Sequence, residues 1–413
     1  MGFQQLYYTS CTNGLAGYGG YQFNAATPGV SPVVMREVEN RTVYEPPRGL
    51  PAEPRPEELA DYPVAFSYTT GGATGAAVTA HVVFVGADYS GRPGNYFAHV
   101  LVTDSPEADF GPLLPAELWG AALWRREPVE RRELPELSGP PPRGPIDRAG
   151  TQAFLDARAA DGVLPALLSA VDRAMTGDRA VLLAGHDAAE NAWWIAAISY
   201  LLGDRLARRL SFTTYSHRPG YSGHHVVGVV NEPGSAPAGA DLGFHLFDVA
   251  AGRLPDGLGV HPLAELLTRV GVMSSAALWQ QAAALATGAE TDFTGWYPPV
   301  AAAAALLGVE PTVTDVDLIA GWLATADRPP GRHADVVLGV VLARPDDLGD
   351  ARLRELLDLA VRLSAGGRVE RIERLLIDRA LGRLGRGEPA EPARLSTPGN
   401  RAAAARRCRE LLV

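Results

Sequence analysis

Three side chains of the kind that bind anions and nucleotides occur within eight residues of one another beside a predicted β-strand. They are Arg92, Asn95 and His99, in the run RPGNYFAH. A guanidinium binds phosphate or carboxylate through paired N–H donors, and an imidazole can donate or accept near neutral pH. We therefore predict a ligand-binding site for an anion or a nucleotide at this strand edge. The alternative is structural, with Asn95 completing the turn and His99 bonding a buried backbone group.

A second candidate lies between an apolar predicted strand and the helix that follows it, where a phosphate-binding loop would lie in many NTPases. The run GHDAAEN places His186, Asp187 and Asn191 at the start of this helix. A helix N-terminus can hold an anion, although Asp187 is more simply an N-cap residue. These three residues are therefore a weaker prediction of an anion site.

Lysine is absent from the chain, since all 37 basic residues are arginine. P-loop NTPases, Schiff-base enzymes and protein kinases each depend on a lysine. The sequence therefore excludes a P-loop NTPase. We predict no catalytic residue, and a protein that is not an enzyme is favoured.

Histidine and cysteine do not form a metal site in the sequence. His217, His224 and His225 share one connection, but no cysteine or carboxylate cluster completes a tetrahedral ligand set. Cys11 and Cys408 lie almost a whole chain apart, which excludes a zinc knuckle and a disulfide framework. We predict no metal and no cofactor.

The elements that must position these residues change in character along the chain, and we predict four segments. Residues 1–133 combine strands with short helices and indicate an α+β N-terminal domain. Residues 134–148 are rich in proline and predict a linker. Residues 149–252 alternate helices with apolar strands, which is typical of an α/β middle domain with a mainly parallel sheet. Residues 253–413 predict an all-α C-terminal region without a clean repeat period, either a docking scaffold or plain helical packing.

Charge and hydropathy exclude two classes of partner. The net charge is −10, and residues 1–150 carry 11 arginines against 17 acidic residues, so the N-terminal part repels nucleic acid. The sequence has no apolar stretch of roughly 18 residues and no secretory signal at its start. We therefore predict no nucleic-acid partner, no membrane segment and a cytoplasmic location.

Three stretches of the sequence resemble one protein family. The first comprises LYYTSC, GLAGYGGYQFNA and TPGV (residues 6–11, 14–25 and 27–30), and the second is GRPGNYFAH (residues 91–99). The third runs from WWI (residues 193–195) to LARRLSFTTY (residues 206–215). Together they resemble the GTPase-associated protein 1 family of actinobacteria and other bacteria. The first two stretches resemble its type 2 N-terminal domain, and the third resembles its middle domain.

The resemblance implies a GTPase as partner, because members of this family are encoded with a GTPase in bacterial conflict systems that act in defence. It implies sensing or relaying rather than catalysis, and it transfers no active site. We therefore predict a non-enzymatic adaptor or sensor that partners a GTPase, with other proteins of the system binding the helical C-terminal region. The alternative is a cryptic nucleotide- or anion-binding enzyme domain in residues 1–133.

Overall fold

The structure is a computed structural model that describes residues 2–72, 74–158, 160–231, 243–325, 333–391 and 394–411. The chain divides into two compact units, Met1–Ala276 and Ala277–Val413. The described strands are β1 (Gly2–Cys11), β2 (Gly20–Ala26), β3 (Ala65–Thr69), β4 (Ala77–Ala87), β5 (Pro93–Thr103), β6 (Leu137–Ser138), β7 (Val181–Gly185), β8 (Phe212–Thr213), β9 (Val226–Val230) and β10 (His245–Asp248). The described α-helices are α1 (Pro32–Arg41), α2 (Pro106–Phe110), α3 (Arg148–Ala157), α4 (Leu164–Met175), α5 (Ala188–Ala207), α6 (Pro262–Leu285), α7 (Phe293–Leu306), α8 (Val313–Thr325), α9 (Ala334–Leu342), α10 (Asp350–Arg362), α11 (Gly366–Gly385) and α12 (Pro398–Leu411).

The strands of the first unit form one sheet that changes from antiparallel to parallel across its width. Its order is β10-β7-β9-β8-β3-β4-β5-β1-β2, with β6 paired to β1. The pairs from β3 to β2 are antiparallel, and the pairs among β8, β9, β7 and β10 are parallel. An antiparallel pair joins the two parts, with Ser67 opposite Thr213 and Tyr68 opposite Phe212. Strands from three of the predicted segments, residues 1–133, 134–148 and 149–252, therefore belong to the same sheet.

Alternation along β5 fills a core on each face of the sheet. Tyr96 and the even-numbered residues up to Val102 pack with buried residues of α1. Phe97, on the other face, packs with Tyr7 and Leu134. Because both faces are covered, polar side chains of this strand must find their hydrogen-bond partners inside the protein.

A local sequence signal positions the start of α1, whereas residues 134–148 are held by packing and strand pairing. Ser31 caps α1 by accepting a hydrogen bond from the backbone N–H of Val34 (3.3 Å), and Pro32 begins the helix, as is typical of a Ser-Pro pair. Within residues 134–148, Leu134 and Ile146 are buried. Leu137–Ser138 forms β6 along β1.

The second unit consists of helices that pack in a regular succession. α7 packs on α8 and α9, α8 also packs on α10, and α10, α11 and α12 follow one another. Arg352 of α10 pairs with Asp317 of α8 (3.2 Å). Arg368 of α11 pairs with Asp335 of α9 (3.1 Å). Each arginine thus joins a helix to the one two positions earlier.

A glycine makes room for each of these arginines. Gly321 and Gly339 each lie four residues after the paired aspartate, and a Cβ atom there would meet the guanidinium of Arg352 (3.1 Å) or Arg368 (2.5 Å). The same arrangement of aspartate, glycine and arginine therefore occurs twice, between α8 and α10 and between α9 and α11. The sheet of the N-terminal part and the helical C-terminal region agree with the predicted fold classes.

Candidate functional site

Arg92 lies on the loop between β4 and β5, where its exposed guanidinium pairs with Asp88 (3.2 Å). Asp88 organises this loop, since its carboxylate also accepts hydrogen bonds from the backbone N–H groups of Ser90 (2.8 Å) and Arg92 (3.1 Å). Hydrogen bonds from the Ser90 side chain, and then from these N–H groups, hold the pKa of Asp88 well below its usual value. Arg92 therefore faces solvent beside a carboxylate that is charged at neutral pH.

Asn95 is buried at the start of β5 and binds the neighbouring strand. Its Oδ1 atom accepts hydrogen bonds from the backbone N–H of Ser10 (3.1 Å) and the hydroxyl of Thr9 (3.2 Å). These contacts join β5 to β1 just beyond the last residue pair of the two strands, Thr9 and Phe97. The side chain thus has a structural role in the sheet.

His99 is almost completely buried, with 1% of its surface exposed. Its Nε2 atom lies 3.1 Å from Gln5 Oε1, and its Nδ1 atom accepts a hydrogen bond from the backbone N–H of Arg125 (3.1 Å). Burial, and then the nearby His81 and Arg125, lower the pKa of His99 to about 3. Since Nδ1 accepts, Nε2 carries the proton and donates to Gln5.

The three residues predicted to bind one ligand have separate sets of partners. Arg92 contacts solvent and Asp88, whereas Asn95 and His99 are buried and bonded within the sheet. A joint ligand role for them stays a prediction. His99 bonds a backbone N–H, as in the structural alternative, whereas Asn95 bonds β1 rather than its own turn.

His186, Asp187 and Asn191 lie at the start of α5 as the sequence predicts, but they point to different partners. Asp187 caps the helix by accepting from the backbone N–H of Glu190 (2.7 Å). His186 contacts Glu190 (2.7 Å), which also binds Arg158 (2.9 Å). The N-terminus of α5 is therefore occupied by two of the protein's own carboxylates.

Asn191 is fully buried and connects α5 to the parallel strands. Its Nδ2 atom donates to the backbone oxygens of Thr214 and Val229, both at 3.0 Å. Gly228 allows this close approach, because a Cβ atom there would lie 2.2 Å from the Thr214 oxygen. An anion-binding role for His186, Asp187 and Asn191 also stays a prediction.

The remaining histidines and Cys11 do not assemble into a reactive group. Within the described residues, no cluster of three or more His, Cys, Asp or Glu could hold a metal ion. Burial raises the pKa of the Cys11 thiol, so this side chain is not an activated thiolate. His225 Nδ1 is bonded within the protein, since it accepts a hydrogen bond from the backbone N–H of Ser211 (3.0 Å) and lies 3.0 Å from the Ser211 hydroxyl.

A cavity of about 240 Å³ lies on the α1 face of the sheet, where the antiparallel and parallel parts meet. Its floor is formed by small or short side chains from three adjacent strands, which are Val82 of β4, Ala65 and Ser67 of β3, and Thr213 of β8. The end of α1 with residues 42–45 forms one wall, and residues 215–224 form the other. The small floor residues leave open the space that larger side chains fill elsewhere on this face.

Hydrogen bonds hold the two walls of this cavity together. Arg218 binds Glu45 through two contacts (Nε–Oε2 3.0 Å and Nη2–Oε1 2.7 Å). The hydroxyl of Tyr215 donates to the backbone oxygen of Glu45 (2.9 Å).

Sequence reasoning missed this cavity, because its walls are about 170 residues apart along the chain. The histidine-rich connection at 217–225 was the one local signal of it.

The fold and the site define a protein whose mixed sheet carries a polar cavity and whose C-terminal part is built from stacked helices. Residues 2–140 match the N-terminal domain, type 2, of GTPase-associated protein 1, and residues 151–251 match its middle domain. Residues 278–413 match the C-terminal domain of the same protein. The chain belongs to the GTPase-associated protein 1 family, which confirms the resemblance found in the sequence.

Two curated relatives come from Mycolicibacterium smegmatis, and both are provisionally named ESX-1 scaffolding and assembly protein SaeB. The protein of strain MKD8 is 34% identical over 227 residues, and that of strain ATCC 700084 / mc(2)155 is 34% identical over 229 residues. Each match covers 52% of this chain and 26% of the relative, so the chain spans about a quarter of their length.

No solved structure matches the chain. Within the described residues, no helix is long and apolar enough to cross a membrane.

Proposed function

We propose that the chain is a non-enzymatic adaptor or scaffold that binds a GTPase. The observation that carries this proposal is the ordered match of all three domains of GTPase-associated protein 1 along the chain. The M. smegmatis relatives, whose name describes scaffolding and assembly, support a role that consists of binding other proteins. As implied by the family resemblance, the setting is a bacterial conflict system that acts in defence, in the cytoplasm.

The helical unit is the region that we propose binds other proteins of the system. Stacked helix pairs offer extended surfaces, which repeat proteins commonly use for binding. Val313, Val336 and Val361 are each at least half exposed on successive helices of this unit. The fully buried core of a protein interface is more apolar than the rest of the surface, and these valines supply exposed apolar area on this unit.

The test is affinity capture with the full chain from a lysate of the organism that encodes it, in the presence of GDP or of a non-hydrolysable GTP analogue. We expect mass spectrometry to find a GTPase that is retained in one nucleotide state and to which the purified chain binds directly. If no GTPase is retained in either state, the adaptor proposal loses its basis.

A pair of matched variants locates the binding surface. Replacing Val313, Val336 and Val361 together by Asp places three charges on the helical unit, where we expect them to weaken GTPase binding at least about tenfold. The control replaces Leu15, Val33 and Leu254 by Asp, since these apolar residues are also exposed, by 40–43%, in the first unit. Binding that is lost only in the control would assign the interface to the first unit instead.

A further inference from the structure

The cavity between α1 and residues 215–224 contains a buried histidine whose ring has no partner. His224 is 7% exposed and lines the cavity. Neither of its ring nitrogens has a hydrogen-bond partner among the described residues. Burial, then Arg41 and His225, lower the pKa of His224 to about 3 against a smaller opposing effect of the Ser222 backbone, so the ring is neutral and offers one donor and one acceptor. A buried polar group left unpaired at a cavity is completed by whatever occupies that cavity, either ordered water or a ligand.

Two guanidinium groups and the carboxylate of Glu45 are the charged groups that line the cavity. Arg41, at the end of α1, binds Glu37 through Nε (3.0 Å), and its exposed fraction is 27%. Arg218 stands at the mouth, paired with Glu45 and 65% exposed. A guanidinium has five N–H donors, so both arginines can bind an anionic group in addition to their carboxylate partners.

The cavity also offers surfaces that suit a planar polar ring. Tyr221 lines it while remaining 89% exposed, and an exposed aromatic ring at a mouth can stack on a flat heterocycle. Ser67 and Thr213 place hydroxyls on the floor, next to the apolar Ala65. The Thr213 hydroxyl donates to the backbone oxygen of Tyr215 (3.0 Å), so it can only accept from a ligand. The cavity volume approaches that of small-molecule sites, roughly 300–1,000 Å³.

We propose that this cavity binds a nucleoside phosphate, with the phosphate near Arg41 and Arg218 and the base enclosed near His224, Ser67 and Thr213. The site lies where the sheet changes from antiparallel to parallel, between the segments matched by the N-terminal and middle family domains. A bound ligand would contact both segments at once and so would stabilise their junction. This inference concerns the first unit alone and does not depend on the GTPase partnership.

The first experiment measures binding to the purified full chain by thermal shift and isothermal calorimetry. The probes are the 5′-monophosphates of adenosine and guanosine, the two parent nucleosides, and inorganic phosphate. We expect at least one nucleotide to raise Tm in a saturable way, because a ligand that binds only the folded state stabilises it. We also expect the nucleosides and inorganic phosphate each to shift Tm by much less. The proposal is overturned if neither nucleotide raises Tm, or if inorganic phosphate raises Tm as much as a nucleotide does.

Replacement of His224 by Phe separates a ligand role from a structural one. The apolar ring fills the same space without unpaired nitrogens, so Tm of the ligand-free chain should stay equal or rise. The response to the nucleotide should disappear. A lower Tm with an intact response to the nucleotide would instead assign His224 a structural role and overturn its part in the site.

Two arginine variants of similar exposure decide where the ligand binds. Arg218→Gln should raise Kd for the nucleotide at least about tenfold, because a charge-assisted hydrogen bond is lost. Arg92→Gln is the control, since Arg92 is 69% exposed and also paired with an acidic residue. Ser67→Leu, which fills the floor of the cavity without changing charge, should weaken binding as well. Binding that survives Arg218→Gln and Ser67→Leu but fails in Arg92→Gln places the site at residues 92–99 and overturns the cavity assignment.

Discussion

At the scale of single residues, three buried histidines of the first unit are uncharged at neutral pH, because burial disfavours the charged form of the ring. His81, His99 and His224 are at least nine-tenths buried, and burial is the main cause that lowers the pKa of each to about 3. His81 also lies flat against Trp124, with ring centroids 5.4 Å apart. These side chains therefore contribute shape and hydrogen bonds rather than proton transfer at neutral pH.

The pKa shifts of these histidines predict a loss of stability in mild acid. Their folded pKa lies below the ordinary 6.5, so the unfolded chain binds protons first as pH falls. Stability is thus complete above about pH 6.5 and is lost progressively toward pH 3, by about 2 kcal/mol per histidine at pH 5. Urea unfolding at pH 7.5 and pH 5 measures this loss.

Two variants distinguish the contributions of these histidines to the free energy of unfolding. His81→Phe should reduce the difference between pH 7.5 and pH 5, at little cost at pH 7.5, because His81 Nδ1 has no partner among the described residues. His99→Phe should cost about 1–3 kcal/mol at pH 7.5, since it leaves Gln5 and the Arg125 N–H unpaired. An unchanged pH dependence in His81→Phe would contradict the assigned pKa.

Residue roles were predictable from the sequence only where the partners are local. Asp187 was recognisable as an N-cap because it bonds an N–H three residues later. The partners of Asn191 lie 23 and 38 residues away, and His99 bonds an N–H 26 residues away. Sequence patterns identify polar residues that could act, but only the fold shows which of them are already satisfied.

At the scale of elements, a buried carboxylate anchors the last described helix of the second unit. Glu373 of α11 is 1% exposed, and it accepts hydrogen bonds from the Ser396 hydroxyl (2.6 Å), the Thr397 N–H (3.2 Å) and Asn400 Nδ2 (3.0 Å). These donors lie at the start of α12, where a negative charge also suits the helix dipole. One side chain therefore fixes where α12 begins.

Glu373→Gln should destabilise the helical unit at neutral pH but not in strong acid. Burial alone would raise the pKa of Glu373, but the hydrogen bonds from Ser396, Thr397 and Asn400 lower it to about 2. The lowered pKa means that the stabilisation, up to about 3 kcal/mol, is present at neutral pH and is lost as pH falls from about 4.5 to about 2.

Chemical denaturation at pH 7 and pH 2.5, followed by circular dichroism, checks the effect of Glu373→Gln on the free energy of unfolding. Glu370→Gln is the matched control on the same helix, because Glu370 is half exposed and its side chain pairs with Arg374. It should cost less than about 1 kcal/mol. Equal losses in the two variants at pH 7 would contradict the anchoring role of Glu373.

The helical unit shows why a repeat can be invisible in the sequence. The arrangement of aspartate, glycine and arginine occurs twice, but the arginine follows its aspartate by 35 residues in one case and by 33 in the other. The helices between them also differ in length. Helical periodicity alone therefore predicted an all-α region, whereas the equivalence of its helix pairs depends on contacts in space.

At the scale of the whole first unit, one sheet connects segments that the sequence presents as separate. The strands could be predicted one by one from apolar runs and alternation, but β3 and β8 lie about 145 residues apart and meet through two residue pairs. Phe212 contacts the rings of Phe66 and Tyr68, each at 6.0 Å between centroids. The Thr214 hydroxyl further donates to the Val64 oxygen (2.9 Å). No local pattern encodes such a pairing.

This shared sheet predicts that the first unit unfolds as one cooperative body. Leu182 of β7 is fully buried, so Leu182→Ala should cost about 2–5 kcal/mol through lost burial and a cavity. Hydrogen exchange of the full chain should then show that β4 loses about as much protection as β7, although β4 lies on the other side of the β3–β8 junction. The control Val33→Ala, at an exposed position of α1, should leave protection in both strands unchanged. If β7 loses protection while β4 keeps it, the two parts of the sheet unfold separately, and the prediction of one cooperative body is wrong.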